Sequence, residues 1–269
     1  YFGYTDSQTG LWRPKRYEGT FGNNGHYLDF SDNSSASNLG LDRSGNSKDF
    51  NNVSNISVSS GDGNDSTTDT PTSNKATLND ITGFSNRATL DQGALQMTGS
   101  NGFKDISTIA IDGSSKFYYE ATGGGGGWQL LGLFIGQPNN PSNALSNSAI
   151  WGFASTEALY QGGSYSSSGA PSWSNSDLMG IKYNDGTLQI YKNGTLWGTS
   201  ITEVPTNDKI FAYIANDNVN ASTYVRFNSD SWTQDSAAGV DDSWELSVKN
   251  VSPNVPSIVR PKRHFDTLL

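Results

Sequence analysis

The sequence predicts an all-β fold in which two antiparallel sheets pack into a sandwich. Hydrophobic residues make up only 33% of the chain and aromatic residues 12%, so the apolar content is concentrated in few, large side chains. Glycine, serine, asparagine and aspartate fill much of the rest, and they favour turns and strand ends over helix interiors. Short apolar stretches recur between them, and no window has the period of an amphipathic helix. This combination is typical of a sandwich or a barrel.

Serial short strands are predicted through the middle of the chain, most of them separated by Gly, Asn or Asp. They lie at 88–90, 94–98, 107–111, 116–121, 128–136, 149–154, 178–183, 187–192, 195–197, 210–215 and 223–227. The runs Asn184-Asp185-Gly186 and Asn193-Gly194 predict hairpin turns, because these residues adopt left-handed backbone conformations. The five-glycine run 123–127 is interpreted as a hairpin loop, since it is too flexible for a strand interior.

Three regions are predicted along the chain. Residues 1–83 form an extended N-terminal arm with few short strands, one of them at 27–30. Residues 84–235 form the sandwich, and residues 236–269 form an extended C-terminal arm that connects to a further module. The stretch 251–259 is rich in Pro and Val, which favours extended backbone. The chain begins at Tyr1 rather than methionine, so we expect it to be part of a longer or processed polypeptide.

The charge balance excludes several classes of partner. The formal net charge is −9 and the pI is about 4.6, whereas a nucleic-acid-binding surface is basic. No apolar stretch approaches the length that spans a bilayer. The chain has no cysteine, which excludes disulfides, thiol nucleophiles and cysteine-ligated zinc. We therefore expect no nucleic-acid partner and no membrane insertion.

Catalytic chemistry finds little support in the sequence. A Ser-His-Asp site needs a histidine base, and the two histidines, His26 and His264, both lie in the predicted arms. No pair of carboxylates stands out for glycoside hydrolysis, and Glu120 is expected to be structural, with hydrogen bonds to nearby backbone. The acidic stretch 62–69 does not match the spacing of a calcium loop. We expect no enzyme activity, no metal and no cofactor.

A cluster of aromatic residues near a long polar loop is the best candidate for ligand binding. Long loops on a rigid sandwich carry binding residues, and flat rings beside amides suit sugars. Trp151 is predicted to be a core residue, whereas Trp128 and Trp197 flank Gly-rich turns and are alternative rim residues. For each of the three aromatic candidates, loop packing and ligand contact are equally supported interpretations. The candidate ligand-binding residues in and beside the loop are Tyr160, Gln161, Tyr165, Trp173 and Asn175.

The strand series resembles the SPRY family. The order and spacing of five segments across residues 85–235 are similar to successive SPRY strands, and the last is the most specific. The segments are 115–120 (SKFYYE), 131–136 (LGLFIG), 150–153 (IWGF), 177–181 (DLMGI) and 189–194 (QIYKNG). The resemblance implies a concanavalin-like jelly-roll sandwich.

The arms resemble a narrower group, the large virion proteins of tailed phages. The matching segments are 23–34 (NNGHYLDFSDNS), 41–46 (LDRSGN), 69–74 (DTPTSN) and 260–269 (RPKRHFDTLL). The sequence departs from the pattern of this group at two places, the stretch 50–52 (FNN) and the five-glycine loop.

The resemblance of the arms to phage virion proteins implies a location and a function. The chain is expected in the virion, outside the host cell, as a tail fibre or appendage module that assembles with other virion proteins and with itself, a trimer among the options. It is further expected to bind a host-surface glycan or protein. The alternatives are a purely structural capsid decoration or connector, and a polysaccharide-degrading tailspike enzyme.

Overall fold

The computed structural model describes residues 3–5, 12–14, 17–50, 56–58, 74–79, 84, 88–99, 102–123, 127–136, 148–217 and 222–247. These residues fall into two compact units. The first holds those up to 58, and the second holds those from 74 onward. The features predicted at 62–69, 251–259 and 260–269 lie outside the described residues.

The first unit contains one short hairpin and one short helix. β1 (Gly3–Thr5) pairs antiparallel with β2 (Trp12–Pro14). α1 (Ala36–Leu39) begins after Ser35, whose hydroxyl accepts the amide hydrogen of Asn38. The strand predicted at 27–30 is absent from the described residues, which show only an isolated bridge between Leu28 and Asp42.

Side-chain hydrogen bonds of Asp42 explain this difference. Its carboxylate accepts the amide hydrogens of Tyr27 at 2.8 Å, Ser44 at 2.8 Å and Lys48 at 2.9 Å. Desolvation acts to raise the pKa of Asp42, but these bonds outweigh it and hold the pKa well below its ordinary value. A side chain that bonds to nearby backbone offers the chain an alternative to strand pairing, and here it folds residues 42–48 into a turn.

The second unit is built from short strands. Their bounds are β3 (Thr89–Asp91), β4 (Gln96–Thr98), β5 (Phe103–Ile106), β6 (Ile111–Asp112), β7 (Lys116–Gly123), β8 (Gln129–Ile135), β9 (Ile150–Ala154), β10 (Leu159–Gln161), β11 (Ser164–Ser166), β12 (Leu178–Asn184), β13 (Thr187–Lys192), β14 (Thr195–Leu196), β15 (Lys209–Asn216) and β16 (Thr223–Arg226). After β16 come a 3-10 turn at Ser229–Ser231, a helix α2 at Asp235–Ala238 and a second 3-10 turn at Asp242–Trp244. No helix in the described ranges is long and apolar enough to cross a bilayer.

The strands form two sheets, which we call sheet I and sheet II. Sheet I has the order β11-β10-β9-β8-β15-β5, with β6 also paired to β15. Sheet II has the order β14-β13-β12-β7-β16-β4-β3. Every recorded strand pair in the two sheets is antiparallel. The predicted all-β antiparallel two-sheet sandwich is confirmed.

The main hydrophobic core lies between the sheets and uses alternate residues of the long strands. Phe117 and Tyr119 of β7 lie in it with Leu131 and Leu133 of β8. The Tyr119 hydroxyl donates toward the carbonyls of Gly132 and Tyr213, each 3.2 Å away, and so joins sheet II to sheet I. Large buried rings of this kind let a chain with few apolar residues fill a core.

Segments outside the strands complete this core. Leu78 and Leu246 are 1% and 0% exposed and belong to the core cluster. The amide of Ala76 donates to the carbonyl of Leu246 at 2.7 Å, and Lys75 is ion-paired with Glu245. Residues 74–79 and 244–247 are therefore tied to each other at the margin of the sandwich.

Residues 228–247 cover the outer face of sheet II, and a buried carboxylate fixes them there. Glu120 of β7 is fully buried and accepts the amide hydrogens of Gln234 at 2.7 Å and Thr233 at 3.0 Å. Arg226 and the Tyr118 hydroxyl donate to the same carboxylate, each at 3.2 Å. Burial raises the pKa of Glu120, while the amides and Arg226 act against that shift. This geometry agrees with the structural role expected from the sequence.

The hairpin turns predicted at 184–186 and 193–194 are present. The five-glycine run is not a hairpin loop, because the strands before and after it, β7 and β8, belong to different sheets. β12 and β13 join through Asp185 and Gly186, which have φ values of +39° and +84°. The strand predicted at 107–111 is wrong, because the hydroxyl of Ser107 donates to Ile109 at 2.8 Å and accepts from Ala212 at 3.0 Å, which ends the regular ladder. β11 lies within the stretch 162–171, which the sequence had predicted as a polar loop, and β10 directly precedes that stretch.

Candidate functional site

A tight hairpin at the edge of sheet I carries the exposed aromatic residue of the predicted loop. β10 and β11 are joined by Gly162 and Gly163, whose φ values are +60° and +91°. Positive φ at both positions is the requirement of a two-residue type I′ turn, which glycine meets without strain. The register of this hairpin places Tyr160 directly opposite Tyr165. The two rings therefore lie on the same face of sheet I.

Tyr165, Tyr160 and Trp128 form a chain of ring contacts that we call the aromatic edge. The ring centroids of Tyr165 and Tyr160 are 5.5 Å apart, and those of Tyr160 and Trp128 are 6.1 Å apart, both in edge-to-face geometry. Tyr165 is 62% exposed, whereas Tyr160 is 7% exposed. Burial raises the pKa of Tyr160, and a hydrogen bond from Trp128 acts against it. An exposed ring is thus supported from below by two rings that are packed into the fold.

Gln161 lies next to the aromatic edge but on the other face. It pairs with Ser164 in β11 and with Trp151 in β9, one position out of step with Tyr160. Successive residues of a strand point to opposite faces, so Gln161 is directed away from the Tyr165 ring. Its side chain is exposed.

Trp173 lies in the sandwich core and is not part of the aromatic edge. It is 7% exposed, and its indole N–H donates to the Oε1 atom of Gln129 at 2.7 Å. Gln129 is 1% exposed and donates in turn to the Thr223 hydroxyl at 3.0 Å. This buried chain of hydrogen bonds gives Trp173 a packing role. Trp173 and Gln129 are 44 residues apart in sequence, so the sequence around Trp173 does not indicate this packing role.

Asn175 is exposed in the turn that precedes β12. Asp177 fixes this turn by accepting the amide of Ser174 at 2.8 Å and the side-chain amide of Asn193 at 2.7 Å, with Lys192 at 3.4 Å. Burial acts to raise the pKa of Asp177, but these bonds and the Lys192 charge hold it below the ordinary value. The structure thus brings together Tyr160 and Tyr165 among the predicted site residues, with Trp128 as a third ring.

The carboxylates within the described ranges show no arrangement that favours a metal site. No group of three or more His, Asp or Glu side chains in the described residues could hold a metal ion. Glu157 is exposed and occupies a turn with φ of +68°. Asp177 and Glu120 are both occupied by the hydrogen bonds given above, which hold the turn before β12 and the segment over sheet II.

Comparison with known proteins finds SPRY domains among the similar solved structures. No family model and no curated protein matches the chain. Among solved structures, the chain is similar to the SPRY domain of human HERC1, with 14% identity over 52% of this chain and 91% of that one, and a TM-score of 0.44. The chain is also similar to the TRIM65 PSpry domain, with 11% identity over 56% of this chain and 89% of that one, and a TM-score of 0.44. A human SPRY domain matches with 14% identity over 53% of this chain and 96% of that one, and a TM-score of 0.39. The assignment of a two-sheet sandwich rests on the strand pairing described above.

Proposed function

We propose that this chain is a structural and adhesion module of a phage virion, of the tail fibre or appendage type. In this role it assembles with other virion proteins and with copies of itself, and it contacts a glycan or protein of the host surface. The phage-like segments at 23–34 and 41–46 support the virion setting. The aromatic edge supports the binding role.

The observation that carries the binding role is the exposure of Tyr165 on a rigid support. Its ring is 62% exposed at the end of sheet I, and the Tyr160 ring lies 5.5 Å behind it. A ring that already packs against a buried neighbour loses less conformational freedom on binding than one with no contact, so more of the contact energy appears as affinity. Tyrosine offers a flat apolar face and a hydroxyl, which together suit a sugar ring or a protein surface.

Weak contacts of this kind become effective when several copies act together. In a multimeric appendage, binding by one module raises the effective concentration of the others at the host surface. The small area of one aromatic edge is therefore compatible with firm attachment of a whole particle. The proposal requires single-module binding to be weak and multivalent binding to be strong.

The test is a binding measurement on host cells and glycan arrays with purified chain, presented both singly and in multiple copies. Tyr165→Ala should weaken binding by about ten-fold or more, the size of a modest interface hot spot. Tyr165→Phe, which keeps the ring, should retain most of it. Tyr4→Ala is the matched control, because Tyr4 is 51% exposed in the first unit. If the wild-type chain bound neither host cells nor virion proteins, yet released sugar or acid from a glycan or ester, the proposal would be lost.

A purely structural role is the second candidate, and the burial of two predicted contact residues favours it. Tyr160 and Trp173 are each 7% exposed and take part in packing. A connector or decoration protein would place its aromatic residues in this way. In that case Tyr165→Ala would leave host attachment unchanged, and the chain would be found by labelled electron microscopy away from the host-facing tips of the particle.

A further inference from the structure

The last strand of sheet II is an open edge with exposed apolar side chains. β14 ends the strand order of sheet II and follows β13 through a turn at Asn193 and Gly194, with φ of +50° and +79°. Leu196 is 47% exposed and Trp197 is 42% exposed. Large apolar side chains on an exposed edge strand promote pairing with another chain, and monomeric proteins usually avoid them.

The hydrogen bonds of this hairpin show which backbone groups face outward. The amide of Trp197 donates inward to the carbonyl of Ile190 at 2.9 Å, and Leu196 stands opposite Tyr191. Successive residues of an antiparallel strand direct their N–H and C=O groups to opposite sides. The N–H and C=O of Leu196 therefore point away from β13, and no strand in the described ranges pairs with that side of β14.

The segment that forms this edge carries no charged residue of its own, although α2, which begins at Asp235, contacts β14. The nine residues 193–201, NGTLWGTSI, include no Asp, Glu, Lys or Arg, although the whole chain has a net charge of −9. Contact through an uncharged segment avoids the close like-charge contacts that two identical acidic molecules would otherwise make. The chain just after β14 is open at Gly198, since no described atom lies within 4 Å of where a Cβ on that residue would stand, whereas the start of β14 lies near Ala237 of α2. Charge and access both favour contact with a second copy of this chain.

We propose that β14 pairs antiparallel with β14 of a second copy, about a two-fold axis that passes through Leu196. Each Leu196 then donates its N–H to the carbonyl of the other and accepts the reciprocal bond, which makes the contact self-complementary. Sheet II becomes continuous across the two molecules. The Leu196 side chains meet on one face of the joined sheet, and Trp197 of each copy stands opposite Thr195 of the other.

Site-specific cross-linking tests this register directly, because the natural chain has no cysteine. In a hydrogen-bonded antiparallel pair the two Cα atoms are about 5.5 Å apart, within the range that a disulfide spans. Leu196→Cys under mild oxidation should give a disulfide-linked dimer in high yield. Tyr165→Cys, at the edge of sheet I and 62% exposed, is the matched control and should cross-link only at the collisional rate. Equal yields from the two variants would overturn the proposal.

A second variant removes the outward hydrogen bond without touching the hairpin. Leu196→Pro deletes an N–H that faces away from β13, a position where an edge strand tolerates proline. Sedimentation should show a concentration-dependent dimer for the natural chain and its loss in Leu196→Pro, with unchanged near-ultraviolet circular dichroism. A natural chain that stays monomeric at high concentration, or a dimer or trimer that Leu196→Pro leaves intact, would refute the pairing. These measurements need no ligand, so their failure is distinct from a failure of the proposed adhesion role.

Discussion

Replacing Glu120 with alanine removes the acceptor that fixes residues 228–247 to the outer face of sheet II. The carboxylate is fully buried and serves the amides of Thr233 and Gln234 as well as Arg226 and Tyr118. The deletion leaves the Arg226 guanidinium, whose residue is 9% exposed, without its buried counter-charge. The expected result is a loss of stability together with local release of the segment that follows β16.

The size of the loss follows from the pairing. Removing one partner of a buried ion pair costs about 3–5 kcal/mol, because the other charge stays buried. Glu120→Gln keeps one acceptor oxygen for the two amides, so it should cost about 1–3 kcal/mol. Glu203→Ala is the control, since Glu203 is exposed and such surface changes stay within about 0.5 kcal/mol.

Urea unfolding measures these differences. With a slope of about 2 kcal/mol per molar urea, a loss of about 4 kcal/mol lowers the midpoint by about 2 M. Native-state hydrogen exchange should accelerate at the amides of Thr233 and Gln234 before the strands open. A cost below about 1 kcal/mol for Glu120→Ala, or unchanged exchange at those two amides, would refute the reasoning that this carboxylate anchors the segment.

Two further predictions concern packing and pH. Gly180→Ala should destabilise the chain by about 1–3 kcal/mol in thermal or urea unfolding, because the added methyl overlaps the Tyr118 ring. Gly198→Ala should not destabilise the chain, because the added methyl enters open space. Equal stability of the two variants would contradict the tight packing of Tyr118 against Gly180. The pKa of Asp177 is held below its ordinary value of 3.8, so its contribution to stability is complete above that pH and is lost as the pH falls through the lower, folded-state value. The urea midpoint should therefore drop more for the natural chain than for Asp177→Asn between pH 7 and acid conditions, and parallel profiles would contradict this.

Local turn chemistry made the hairpins of sheet II predictable from the sequence. Asp185-Gly186 and Asn193-Gly194 have the left-handed conformations that their residue types indicate. The β10–β11 hairpin was missed, although its Gly162-Gly163 turn is an equally strong signal, because β11 is Ser-Tyr-Ser and lacks the β-branched residues by which strands are recognised.

The candidate site was predictable only where its contacts are local. Tyr160 and Tyr165 face each other because they flank one tight turn. The burial of Trp173 depends on Gln129 and that of Glu120 on Thr233 and Gln234, partners that lie 44, 113 and 114 residues away in sequence. Such long-range partners are set by the strand order of the sheets, which hydrophobic pattern alone does not determine.

The strand order has a consequence for how this chain is made. β15 lies between β8 and β5, and β16 lies between β7 and β4, so the two strands made last among those the structure describes occupy interior positions in the two sheets. Until residue 226 has emerged, β5 and β4 lack their main neighbours, and Leu246 is needed still later to close the core. The two sheets can therefore be completed only after most of the domain has been translated, and until then β4 and β5 have unpaired edges that favour aggregation.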